Sequence, residues 1–192
     1  MNNYSTVKTF LPPEINRAEI CRYAGAYNQT DMPLLEECIA EAQKVLTYNV
    51  CFCEVPVNFK GKILDLSFCQ AESENLSNTL AGCKKAVLFA ASVGIGIDRL
   101  IIANRIVSPA KSLIFDALGS ERAEALANAF QATFKNTTPR FSPGYGDFPL
   151  TAQKDVFLHL APENKIGLTL NNQLLMSPAK SVTAIFGLKE SR

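Results

Sequence analysis

Histidine is almost missing from this chain: His159 is the only one, and no two cysteines stand in a C-x-x-C pair. A zinc site needs four well-spaced ligands, so that chemistry has little to draw on here. Charge of one sign is lacking too. The 19 basic and 18 acidic side chains leave a net +1 and are spread along the chain. Without a basic stripe, nucleic acid is not the expected partner. Long hydrophobic runs are absent as well. The most apolar stretch, Ala86 to Ile102, is broken by Ser92, Gly94, Gly96, Asp98 and Arg99, so it is too short and too polar to span a bilayer, and no membrane partner is expected. The first five residues show no basic segment running into an apolar one, so no secretory signal is read and a cytoplasmic protein is expected. Finally, G-x-S-x-G, H-E-x-x-H, the P-loop and G-x-G-x-x-G are all missing. Gly94-Ile95-Gly96 lacks the third glycine of a dinucleotide turn and reads as structural punctuation. His159, between two leucines, reads as a surface or core residue rather than a general base. No catalytic acid/base set is visible.

What is present describes an ordinary folded chain. The 192 residues, 47% hydrophobic and 19% charged, suffice for one domain with a proper core. Cysteines stand at 21, 38, 51, 53, 69 and 83. A chain of this size needs no disulfides, and a reducing cytosol keeps thiols free, so buried inert cysteines are expected. Cys51 and Cys53 lie in a strand-like run and should share one face.

The spacing predicts a helix from Pro12 to Tyr23 and a second one opened by Asp31-Met32-Pro33 and running to Leu46. Tyr48 to Val57 and Ile63 to Phe68 read as a β-hairpin around Phe59-Lys60-Gly61-Lys62. Helices are expected next at 72–81, 97–104, 109–134 and 151–160, with strands at 86–91, 166–170 and 181–186. The 109–134 helix opens with Ser108 as its cap and Pro109 in its first turn. The pentapeptide SPAKS occurs at 108–112 and again at 177–181, a match read as chance. Hairpin-like strands at the end of the chain favour a mixed α+β domain over a doubly wound sheet.

One loop carries most of the information. Arg140-Phe141-Ser142-Pro143-Gly144-Tyr145-Gly146-Asp147-Phe148-Pro149 packs two prolines and two glycines into a stiff, folded-back segment. Arg140 can hold a carboxylate through paired hydrogen bonds. Tyr145 offers an aromatic face with a polar tip. The glycines let a flat ligand approach the main chain. An amino acid joined to a purine would use all of these; a plain surface loop with a salt-bridged arginine is the other reading, and the residues alone leave it open. Glu124, among the alanines of the long helix, could take an amino group or ribose hydroxyls, or be simply solvated.

Arg140 to Tyr145, read as Arg-x-x-x-Gly-Tyr, resembles the signature loop of the S-adenosylmethionine-binding activation domain of cobalamin-dependent methionine synthase. Downstream, Pro149, Gln153 and the segment 166–188 (IGLTLNNQLLMSPAKSVTAIFGL) are similar to the closing part of that family, and 117–130 is similar to its long helix. The resemblance covers roughly residues 84–188 and is thin over residues 1–50, the helical N-terminal part. It implies one activation-type domain over 1–192, mainly an antiparallel sheet flanked by helices. It also implies that Arg140 binds the methionyl carboxylate, that Ser142, Gly144 and Tyr145 line the adenosine side, and that Glu124 contacts ligand from the helix. Phe186 falls where the family has a ligand-contacting tyrosine. The family's aspartate near the start of its domain finds no counterpart in residues 1–50.

The resemblance implies a free-standing accessory to cobalamin-dependent methionine synthase, with no acid or base of its own. Its cofactor would be S-adenosylmethionine, and it would meet cobalamin only through a partner protein. That partner would be methionine synthase or another corrinoid protein, with a flavodoxin-like reductant supplying the electron for cob(II)alamin remethylation. Two alternatives stay open: a module serving another corrinoid methyltransferase or acting as a sensor, and an interaction protein that has lost the ligand.

Overall fold

The computed structural model describes residues 5–25 and 32–190. Asp31, the expected cap of the second helix, lies outside them. In chain order the elements are β1 (Thr6–Thr9), α1 (Arg17–Tyr23), α2 (Met32–Ala42), β2 (Asn49–Pro56), β3 (Asn58–Lys60), β4 (Ile63–Asp65), β5 (Gln70–Ala71), α3 (Glu74–Leu80) and β6 (Lys85–Ser92). After β6 come α4 (Ile95–Val107), α5 (Pro109–Gln131), α6 (Gln153–Leu160), α7 (Pro162–Ile166), β7 (Thr169–Leu170), β8 (Met176–Ser177) and β9 (Ser181–Leu188).

The sequence KAVLFAAS of β6 sets the architecture. Every residue after Lys85 is buried, so the strand must be covered on both faces. It is paired antiparallel with β2 on one side and β9 on the other, in a four-stranded sheet of order β1-β2-β6-β9. Side chains alternate across a strand, and here they separate two cores. Val87, Phe89 and Ala91 of β6, Val50 of β2 and Ala184 and Phe186 of β9 face one core, built with α1, α2, α4 and α5. Ala86, Leu88 and Ala90, with Cys51, Val55 and Ile185, face the other, built with β4, α3 and α6. The fold is therefore α+β, with an antiparallel sheet flanked by helices.

Strand pairing corrects the expected hairpin. β2 pairs with β6 along its whole length and with β1 along Asn49–Phe52, so the 63–68 segment is not its partner. Only Asn58–Lys60 turns back on Ile63–Asp65. Cys51 and Cys53 do share a face, against the second core. Burial pushes both thiols up to about 11 and that of Cys69 up to about 12, and all six cysteines are free.

The first helix starts later than expected, at Arg17 behind an Asn16 cap whose side chain accepts from the Glu19 amide. The carbonyls of Pro13 and Glu14 are taken instead by the Arg122 guanidinium, each at 2.6 Å. The expected strand at 166–170 is shorter: Ile166 closes α7, Gly167 caps it at positive φ, and only Thr169–Leu170 are extended. Gly94 and Gly96 serve close packing. A Cβ on Gly94 would lie 2.5 Å from Thr47 Oγ1, and one on Gly96 would lie 2.5 Å from the Val45 carbonyl oxygen. His159 is half-buried with its ring 5.6 Å from that of Phe68, and burial lowers its pKa from the usual value. Among the described residues no cluster of histidine, cysteine, aspartate and glutamate can hold a metal ion, and no helix is long and apolar enough to cross a membrane.

Candidate functional site

Helix α5 organises the site. Glu124, Asn128 and Gln131 are spaced four and three residues apart, which places them on one face of the helix. Arg140 enters from the loop opposite and meets all three. Its Nη1 donates to Asn128 Oδ1 at 2.7 Å and to Gln131 Oε1 at 3.1 Å, and its Nη2 donates to Glu124 Oε2 at 3.0 Å. A guanidinium carries five N–H donors. Three bonds are made to α5, and two N–H groups remain for another acceptor.

The loop is held at both ends. Its entry lies along the free edge of β9, where Phe141 and Ile185 exchange amide-to-carbonyl bonds of 2.9 Å and the Thr138 amide donates to Gly187 O at 3.0 Å. Side chains alternate there, so Phe141 packs into the second core while Arg140 turns toward α5. Gln131 adds a bond from Nε2 to Thr138 O at 2.8 Å. At the far end, the Asp147 carboxylate accepts from the Ser73 hydroxyl at 2.5 Å and from the amide of Glu74 at 2.6 Å, at the start of α3. The Ser73 hydroxyl and these amides hold the Asp147 carboxyl below its ordinary range. Between these anchors the chain turns twice, from Ser142 to Tyr145 and from Tyr145 to Phe148. Gly144 and Gly146 sit at positive φ, +92° and +52°, a region that glycine enters without strain.

These contacts leave an open cleft of about 370 Å³, lined by Glu124, Gln131, Arg140, Ser142, Tyr145 and Val182. Four of the six residues picked out from sequence thus come together: Glu124, Arg140, Ser142 and Tyr145. Tyr145 is 68% exposed at the cleft mouth. Gly144 stands between Ser142 and Tyr145, but its amide donates to Phe148 O at 2.9 Å and is turned into the loop. Phe186 lies elsewhere. It is fully buried and packs against Phe134, Phe89 and Phe130, with ring centroids 5.4, 5.9 and 6.0 Å away. Val182, on the same face but nearer the start of β9, lines the cleft instead.

Sequence reasoning missed three contributors. Asn128 and Gln131 could have been found from Glu124 by helical spacing. Asp147 sat within the loop but had no assigned partner, because α3 is more than 70 positions away. It also missed a second depression of about 480 Å³ between α1 and α5, which shares Glu124 with the first. Pro13, Glu14, Asn16, Glu19 and Tyr23 form one wall and Glu121, Glu124, Ala125 and Asn128 the other. Of its carboxylates, Glu19 is paired with Arg22, Glu121 with Arg122 and Glu124 with Arg140.

That second wall exists because of a buried ion pair. Arg122 is fully buried, and its Nε and Nη2 donate to the two Glu121 carboxylate oxygens at 2.5 and 2.6 Å. Its guanidinium also reaches the Pro13 and Glu14 carbonyls, and Glu121 Oε1 accepts from the Asn16 amide at 3.1 Å. Burial opposes the charge on Arg122, but Glu121 and the Tyr48 hydroxyl hold its pKa above the ordinary value. Together the cleft and the depression suit an elongated zwitterionic ligand with an aromatic end.

No family model matches the chain, and no curated protein matches it. Among solved structures the chain is similar to one described as the crystal structure of the MetH reactivation domain bound to AdoHcy, with 18% sequence identity and a TM-score of 0.64. The likeness covers 84% of this chain and 66% of that one, so the chain spans just under two thirds of its length. At this identity the likeness is one of fold.

Proposed function

We propose that the chain binds S-adenosylmethionine in the cleft between α5 and the 140–149 loop and acts in trans as a reactivation partner of cobalamin-dependent methionine synthase. One observation carries this reading: Arg140 and Glu124, opposite in charge, face each other 3.0 Å apart in an open cleft beside the exposed Tyr145. The α-carboxylate of the ligand takes the two remaining Arg140 donors. Its α-ammonium or ribose hydroxyls meet Glu124, and its adenine lies on Tyr145 with Ser142 alongside. Glu14, across the adjoining depression, is the acidic group that residues 1–50 bring beside Glu124. The likeness in fold to a reactivation domain bound to AdoHcy supports the same reading.

The role is positional. S-adenosylmethionine supplies an activated methyl group, and the protein holds that group in line with the corrinoid of a second protein. Arg140 fixes one end of the ligand and Tyr145 the other. No residue needs to gain or lose a proton. The free cysteines fit a reducing compartment, the cytoplasm. Electrons come from a separate reductant.

A second reading rests on the same contacts. Arg140 is already held by Asn128, Gln131 and Glu124, and a chain that had lost the ligand would keep such a clamp for stability alone. The experiment is a reconstitution. A corrinoid methionine synthase without its own activation domain is reduced in the presence of methyl-labelled S-adenosylmethionine, with and without this chain. Label on the corrinoid that requires the chain, and is lost with Arg140→Ala, supports the proposal. Labelling that is the same without the chain contradicts it.

A further inference from the structure

The far end of α5 carries a surface that the cleft does not explain. Ile102, Ile106 and Val107 of α4 and Leu113 of α5 are 65, 90, 85 and 52% exposed. Four large aliphatic side chains grouped at one helix–helix corner form the kind of patch that marks an interaction site. The chain segment that carries them is basic, and acidic groups of α2 reach it only at Lys111. From Arg99 to Phe115 the chain contains Arg99, Arg105 and Lys111 and no acidic residue. Lys111 is engaged by Glu37 at 2.6 Å, whereas no ion pair to Arg99 or Arg105 is found among the described residues. The flanking acids are turned to other partners: Asp98 Oδ2 accepts from the Ala179 amide at 2.7 Å, and Asp116 binds Lys180 at 2.8 Å.

Helix geometry relates this patch to the cleft. Leu113 and Glu124 are eleven residues apart on α5, about three turns and roughly 17 Å of rise. Eleven residues bring the two side chains to within about 20° of the same face. One partner lying along this side of α5 therefore covers both.

Resting on the function proposed for the cleft, we infer that the Ile102–Leu113 corner docks the corrinoid protein to which the ligand is presented. The partner face that fits has an aliphatic centre and a rim of carboxylates opposite Arg99 and Arg105. At interfaces arginine is enriched and lysine depleted relative to the rest of the surface. A second copy of the chain fits poorly, since a two-fold contact would set the arginines against one another. An anionic membrane also fits poorly, because the patch has no aromatic anchor.

The experiment measures association of the full chain with the cobalamin-loaded form of a methionine synthase lacking its own activation domain. Ile106→Glu and the double reversal Arg99→Glu/Arg105→Glu are compared with the wild type, and calorimetry with S-adenosylmethionine is run on each. The inference predicts wild-type association that weakens with salt. It predicts at least a tenfold loss in both variants while their ligand affinity matches that of the wild type. Wild-type association untouched by either variant, or no association at all, overturns it. So does self-association of the wild type, or binding to phosphatidylglycerol vesicles, that Ile106→Glu abolishes without any binding to the methyltransferase. Patch-dependent docking by a chain that binds no S-adenosylmethionine would keep this surface and remove the ligand site, so the two proposals fail separately.

Discussion

Two glutamate–arginine pairs draw on the same helix, one turn apart, and do different work. Glu121–Arg122 faces inward, with side chains 5 and 0% exposed, and every Arg122 nitrogen is used on Glu121 or on the Pro13 and Glu14 carbonyls. Glu124–Arg140 faces outward, with side chains 48 and 20% exposed, and keeps donors free beside an open cleft. A buried pair is strongly destabilised when one partner is removed, because the other charge is left without water. An exposed pair contributes little to stability. The first pair therefore builds a wall of the site, and the second is available to a ligand.

The largest test of that contrast is Arg122→Met. Leaving Glu121 buried and unpaired should cost about 3–5 kcal/mol, read as a lower urea midpoint at unchanged slope. A loss under about 1 kcal/mol would mean the inner pair is no more structural than the outer one. Next is Phe186→Tyr. In the phenylalanine cluster the added hydroxyl has no partner, so a destabilisation of about 1–3 kcal/mol is expected. If that position instead opened to the cleft, tyrosine would be neutral or would improve ligand binding. Smaller still, Arg140→Ala should change unfolding free energy by less than about 1 kcal/mol.

The smallest expected effect depends on pH. Asp147 is held below its ordinary range by Ser73 and the α3 amides, so its anchoring of the loop is complete above ~pH 4. It is lost as pH falls through the lowered value and the carboxylate is protonated. Backbone amides of the 142–148 loop should then show faster hydrogen exchange in acid, once the intrinsic pH dependence of exchange is divided out. Asp147→Ala should show that loss of protection already at neutral pH. Equal protection in the wild type and the variant would remove Asp147 as an anchor.

Some of this architecture is legible in the sequence. The apolar run of β6 and the proline in the first turn of α5 identify their elements from local pattern alone, although Ser108, at the cap position, makes no side-chain capping bond. The loop residues Arg140, Ser142 and Tyr145 stand out through chemistry and spacing, and they do converge with Glu124. What stayed hidden is long-range. β2 cannot be told from one arm of a hairpin until β6 claims its other edge. The start of α1 depends on an arginine more than 100 positions away. Phe186 was placed by likeness to a tyrosine, while strand alternation puts it on the face covered by Phe89 and Phe130. The depression that Glu14 and Glu19 line arises only when the N-terminal segment docks on α5.

The most direct measurement is titration calorimetry of S-adenosylmethionine into the wild type and Arg140→Ala under identical conditions. The account predicts saturable one-site binding to the wild type and at least a tenfold weakening in the variant, about 1.4 kcal/mol, with the thermal midpoint nearly unchanged. Absence of wild-type binding at millimolar ligand, or equal affinity in the two proteins, would contradict it and leave Arg140 as a structural clamp.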